Sequence, residues 1–180
     1  LLMQLTESQK VVKKYRDYVI QQSRSNLSKL KHNNTGSLYK SIKGEVLQEK
    51  NYFLIGFEFD FYGEFIDKGV KGKSSSSKAP NSPYKFGSGS GQEGGLTKGI
   101  DKWVRQRGIQ FRDKKSGKFL TYKSTAFIIA RSIYQTGLKS SLFFTKPFEA
   151  GYKKYIQTDL VKALKIDLET IVDNGLKKAK

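Results

Sequence analysis

Cysteine is absent from the 180 residues, and histidine occurs once, at His32. The first absence excludes disulfide frameworks, thiolate metal sites and cysteine nucleophiles together. The second excludes multi-histidine metal clusters and leaves a single candidate histidine base. No apolar run approaches the ~20 residues of a membrane-spanning helix, and no signal-peptide pattern is read. The chain opens on Leu1 rather than methionine, so a short preceding segment is expected. What is present is the composition of a folded chain. Hydrophobic residues make up 37% and aromatics 13%, enough for a core at this length without disulfide or metal.

Acidic residues are also few: 16 against 34 basic ones, for a formal charge of +18. The excess is concentrated. Residues 68–123 carry 14 basic and three acidic residues, whereas 1–67 carry ten and eight, and 124–180 ten and five. A local positive field of this kind favours polyanions or acidic protein surfaces.

Periodicity places the elements. Val12, Tyr15 and Val19 form a helical stripe widened by Val11, Tyr18 and Ile20 and extended by Leu27 and Leu30. Thr6 and Gln9 have capping-box spacing at its start. His32, where the stripe ends, reads as a surface or capping residue. Ser41–Glu49 and Asn51–Phe61 then read as paired strands around a turn at Glu49-Lys50-Asn51. Phe53, Ile55, Phe57, Phe59 and Phe61 share one parity, and each buried member is worth about 1.5–3 kcal/mol. Tyr62, Phe65 and Ile66 suggest a short helix closed by Gly69.

Beyond it the pattern dissolves. Residues 71–95 hold the run Ser74 to Ser77, Pro80, Pro83 and six glycines, and read as an inserted, flexible, basic loop rich in serine, glycine and lysine. A loop of this length in a compact domain is functional or disordered. Its ordered form is expected to come from a neighbouring subunit. Leu96, Ile100, Trp103 and Val104 restore a helix ending at Gly108, with Trp103 in the core. Ile109–Tyr122 suggests a second hairpin around Asp113–Gly117. Ala126, Ile129, Ala130 and Ile133 give a helix closing at Gly137. A stretch through Leu142-Phe143-Phe144 then leads into a long amphipathic helix from Phe148 to Ile171, ended by Asn174-Gly175. The expected fold is α+β in a single domain over 1–180. An antiparallel sheet carries packed helices, with long amphipathic helices at both ends and a long basic central loop.

The residues supply no catalytic, cofactor or metal set. His32 lacks a triad context, and the glycines of 87–95 lack the Gly-Lys-Ser/Thr ending of a phosphate-binding loop. Glu58, Asp60, Glu64 and Asp67 form an acidic cluster, but Glu58 and Asp60 fall on the outward parity of a strand. A nuclease built on that cluster is a third-ranked reading. Gly117–Lys123 mixes basic and aromatic residues without matching the RNA-recognition sheet signature.

Several segments, taken in order, resemble small bacteriophage tail-completion and head–tail joining proteins. Thr35-Gly36-Ser37-Leu38-Tyr39-Lys40-Ser41-Ile42 resembles that family's TGxLxxSI segment. Tyr62, Phe65, Ile66, Asp67 and Gly69 fill the places of its strand-to-helix junction. Ile100–Gly108 resembles its tryptophan-containing helix, Ala126–Gly137 its alanine/isoleucine helix, and Phe143–Ala150 its terminal aromatic–proline–phenylalanine segment. The likeness covers about residues 5–165, while the 71–95 loop is longer and more basic than the family pattern. From residues alone, TGSLYKSI is a turn entering a strand, with Leu38 and Ile42 toward the core.

The resemblance implies a non-enzymatic virion protein of the phage neck, assembled in the bacterial cytoplasm. It would form a homo-oligomeric connector ring, sixfold or twelvefold, through which DNA passes. Its neighbours would be connector, portal-proximal or tail proteins, with no membrane and no cofactor. A cyclic ring uses heterologous contacts between two different surfaces. The expected contact residues are Tyr62 and Phe65 on the short helix, Phe143 and Phe144, and Lys71, Lys73, Lys78 and Lys85 meeting carboxylates. The rival reading is a nucleic-acid binder using 68–123, with Arg105, Arg107, Arg112, Lys114 and Lys115 facing DNA. It expects a log–log salt slope of about −4 if four or five phosphates are neutralised.

Overall fold

The computed structural model describes residues 5–30, 36–49, 52–88 and 95–178. His32, Thr35, the Lys50-Asn51 turn and most of the 87–95 glycine stretch therefore lie outside the described residues. The elements are helical with a small antiparallel component, so the chain is α+β as expected. Where the sequence reads as one domain, the chain divides into two compact units. Residues up to Gly63 join those from Leu142 onward in the first, and Glu64–Ser141 form the second.

The first unit is organised on α1 (Thr6–Lys29), whose inner stripe Val12, Tyr15, Val19 and Leu27 is buried as the periodicity requires. Leu5, not Thr6, occupies the N-cap position, and no side chain of the capping residue satisfies the first turn. The expected capping box is absent because a tertiary partner does its work. Asp167, from the C-terminal helix, accepts from the Glu7 and Ser8 backbone N–H groups at 3.0 and 2.8 Å and from Ser8 Oγ at 2.6 Å.

After α1 the described part of the TGSLYKSI segment, from Gly36 onward, forms a short helix, α2 (Ser37–Ser41), rather than a turn leading directly into a strand. It starts at Gly36, whose φ of 76° is left-handed. Leu38 and Ile42 are nonetheless buried, because four-residue spacing places them on the same side of a helical turn. β1 (Lys43–Gln48) and β2 (Phe53–Glu58) pair antiparallel in the register Lys43↔Glu58 to Gln48↔Phe53. The shared parity of Phe53, Ile55 and Phe57 is confirmed by alternating burial. Phe57 meets Tyr15, Phe144 and Phe148 edge-on, with ring centroids 5.6–6.0 Å apart. The parity does not extend to Phe61, which is 73% exposed, because the chain turns at Asp60 into α3 (Tyr62–Lys68).

The C-terminal helical run comprises α6 (Thr145–Gly151), a π-helical segment (Tyr152–Asp159) and α7 (Leu160–Lys178). It passes through Asn174-Gly175 rather than ending there. Gly151 is buried where it meets α1, and a Cβ there would lie 2.9 Å from ring atoms of Tyr15 and Tyr18. Burial, then the neighbouring Tyr152, pushes the Tyr15 phenol up to about 12. It thus stays protonated and donates to the Phe148 carbonyl at 3.3 Å.

In the second unit, α4 (Gly95–Arg107) packs on α5 (Tyr122–Thr136) around Val104, Ala126 and Ala130. Trp103, expected in the core, is half-buried beside the fully buried Val104. The Thr121 hydroxyl caps α5 by accepting from the Ser124 N–H at 3.1 Å. β3 (Val70–Lys71) and β4 (Gly137–Leu138) pair antiparallel, a two-residue ladder that periodicity does not announce.

Candidate interaction surfaces

The described residues contain no group of three or more histidine, cysteine, aspartate or glutamate side chains able to hold a metal ion. The acidic cluster is dispersed accordingly. Asp60 accepts from Ser37 Oγ at 2.8 Å, and the Glu64 carboxylate accepts from the Tyr84 hydroxyl. That hydrogen bond, then burial and the carboxylate charge, raise the Tyr84 phenol above its ordinary value. Asp67 is buried. No described helix is long and apolar enough to cross a membrane.

The 71–88 part of the supposed loop is tied down by its own chain. Lys71 N–H donates to the Tyr84 carbonyl and Phe86 N–H to the Lys71 carbonyl. Lys73 and Ser74 N–H groups reach the Tyr134 and Gln135 carbonyls at the end of α5. Ala79 and Ser82 are buried, and Ser82 Oγ donates to the Gly69 carbonyl at 2.7 Å while accepting from Tyr84 N–H. Tyr84 packs on Phe65 at 4.6 Å between centroids and Phe86 on Tyr134 at 5.9 Å. These bonds all come from within the chain, whereas the sequence expectation draws the order of this segment from a neighbouring subunit. Ser82→Ala removes both of these hydroxyl bonds inside the unit, and is expected to cost about 1–2 kcal/mol in thermal unfolding.

The basic residues expected to meet a partner have mixed fates. Lys71 is half-buried within β3, and Lys73 Nζ lies over the Tyr134 ring at 5.9 Å. Lys78 Nζ donates to Thr136 Oγ1 at 2.8 Å, whereas Lys85 is exposed. Phe65 is committed to Tyr84. Phe143 is fully buried against Phe59, with ring centroids 5.8 Å apart, so it serves the core of the first unit and is corrected as a contact residue. Phe144 stacks among Phe57, Phe59 and Phe148. Tyr62 remains exposed.

Two apolar surfaces on the first unit escaped sequence reading. On the outward face of the hairpin, Leu47 and Leu54 sit opposite each other in register and are 52% and 55% exposed, with Tyr52 beside them. Along α7, Val161, Leu168, Val172 and Leu176 are exposed, and the first three line a shallow hollow with Leu164, Lys165, Glu169 and Asp173. The signal was visible in outline. The C-terminal helix carries more apolar residues than one face needs, and Leu47 and Leu54 break the alternation of their strands. Scattered apolar surface residues are ordinary, whereas contiguous ones mark interaction sites.

In the second unit, Arg112 and Phe119 form an antiparallel bridge, and the Arg112 guanidinium lies 4.6 Å from the ring centroid. Arg105 lies 5.4 Å from the Tyr122 ring and pairs with Asp101 at 2.8 Å. That hydrogen bond, with the aspartate's charge, raises the guanidinium's affinity for its proton. Lys114 and Lys115 are exposed, as is Arg107 at the end of α4. The chain matches no protein-family model, no curated protein and no solved structure.

Proposed function

We propose that this chain is a non-enzymatic virion protein that forms a homo-oligomeric ring at a phage head–tail junction, a conduit for DNA. The ordered series of family-like segments, from TGSLYKSI to the Phe143–Ala150 stretch, supports the reading. The observation that carries it in the structure is the pair of apolar surfaces on the first unit, one on the β1–β2 hairpin and one on α7. A head-to-tail contact repeated around a ring needs two unlike patches on each copy, whereas a two-fold dimer needs only one. Tyr62 and Phe65 are no longer needed as the chief anchors, because the hairpin and α7 each expose several apolar side chains together.

Complementation between two variants tests this. Leu54→Lys and Leu168→Lys each place a charge on one patch at an exposed position, so folding is expected to survive. Each variant alone is expected to be monomeric by light scattering. An equimolar mixture is expected to form dimers and no larger species, because one intact junction remains. If both variants still assemble like the unmodified chain, these patches do not build the ring.

A further inference from the structure

We propose that residues 109–121 form a nucleic-acid site in which a basic turn grips sugar-phosphate backbone and Phe119 stacks an unpaired base. The site is built from residues of the second unit alone, and it stands whether or not the chain assembles as a ring.

The first support is charge. Residues 109–123 hold Arg112, Lys114, Lys115, Lys118 and Lys123 against one carboxylate, Asp113. That carboxylate is engaged within the turn. Asp113 Oδ1 accepts from the Lys115 and Ser116 N–H groups at 3.1 and 2.7 Å and from Ser116 Oγ at 2.9 Å. Among the described residues Lys114, Lys115 and Lys118 form no ion pair. Their charge is left for an outside partner.

The second support is shape. Asp113 N–H donates to the Lys118 carbonyl, Gly117 N–H to the Asp113 carbonyl, and Leu120 N–H to the Phe111 carbonyl. Gly117 adopts the left-handed φ of 66° that such a turn needs. The base is rooted on α5, since Phe111 N–H donates to Thr125 Oγ1, a buried residue, at 3.2 Å. Lys114 and Lys115 are thus presented at the tip of a pre-formed turn, which lowers the ordering cost of binding.

The aromatic side chains decide the class of partner. Phe119 is 61% exposed beneath the Arg112 guanidinium, and Phe111 is also exposed. An acidic peptide would use the lysines but gain little from an exposed ring. Single-stranded nucleic acid uses both, through phosphate neutralisation and base stacking.

The experiment is fluorescence anisotropy of the full chain with a labelled oligothymidylate and with a duplex, across a salt series. Engagement of four cations by the single strand gives a log–log slope of about −3. K114E/K115E is expected to weaken binding at least tenfold and to flatten the slope by about 1.4. The matched pair K13E/K14E, on the exposed side of α1, is expected to leave it within about twofold. Phe119→Ala is expected to cost about tenfold on the single strand and little on the duplex. Equal losses for both lysine pairs would reduce the effect to net charge and overturn the site. Equal affinity for polyglutamate, with Phe119→Ala neutral, would overturn it in favour of an acidic protein. Circular dichroism of each variant separates lost binding from lost fold.

Discussion

Gly72→Ala is expected to destabilise the second unit by about 3 kcal/mol, the upper range for overpacking. Gly72 follows β3 and faces the end of α5. A Cβ there would overlap the Gln135 carbonyl oxygen and come within 2.6 Å of the Gln135 carbonyl carbon and the Gly137 nitrogen. These are backbone atoms held by the Lys71↔Gly137 pairing, and no rotamer change relieves the contact. Gly137 is confined from the other side, with φ at 88° and a Cβ that would meet the Val70 carbonyl oxygen at 2.5 Å. Gly56→Ala, in β2 with no atom within 4 Å of the added methyl, is the control and is expected to change stability by less than about 0.5 kcal/mol. Hydrogen exchange gives the local readout. The Lys73 and Ser74 amides, which donate to Tyr134 and Gln135, are expected to lose protection in Gly72→Ala alone. Retained protection and an unchanged melting temperature would mean that the close crossing does not exist.

Asp167→Ala is expected to cost about 2–4 kcal/mol, by leaving two N–H donors and the buried Ser8 hydroxyl without an acceptor at the start of α1. Asp167 is 4% exposed and bridges residues 160 positions apart in the chain. Ser8→Ala removes only one of the three bonds and is expected to cost about 1 kcal/mol. The pH dependence has a definite sign. Burial raises the Asp167 carboxyl, but the hydrogen bonds from Ser8 and Glu7, helped by Lys10, outweigh it and hold the carboxyl below its ordinary value. A depressed native value makes the contribution complete above the unfolded carboxyl's pKa of about 4 and lost as pH falls through the native one. The stability gap between the unmodified chain and Asp167→Asn is therefore expected to be flat from neutral pH to about pH 5 and to close in stronger acid. A gap that widened on acidification would reject the assignment.

These two sites show where sequence reading stops. The inner stripe of α1, the parity of Phe53, Ile55 and Phe57, and the burial of Leu38 and Ile42 follow from local spacing and were legible. The α1 cap was not, because its acceptor comes from the other end of the chain and no local pattern encodes it. Nor was the order of 71–88. Polar, glycine-rich sequence normally lacks the apolar area to fix itself. Here Lys73 and Ser74 are fixed by backbone bonds to α5, and Ser82 by a buried side-chain bond. Phe143 was misplaced for a related reason. A paired aromatic near a proline reads equally as surface anchor or core plug, and only its fit against Phe59 decides. The basic character of 109–123 was legible, whereas the turn that presents Lys114 and Lys115 depends on Asp113 accepting from three donors at once.

On the proposed reading, the assembly surfaces lie on the hairpin and α7 rather than on the serine- and lysine-rich segment. The ring itself is the claim on which that reading turns. Native mass measurement of the full chain, paired with electron microscopy of the same sample, addresses it most directly. A closed ring of six or twelve copies with a central opening is the expected result. A chain that stays monomeric at every concentration, and is missing from purified phage particles, would contradict it.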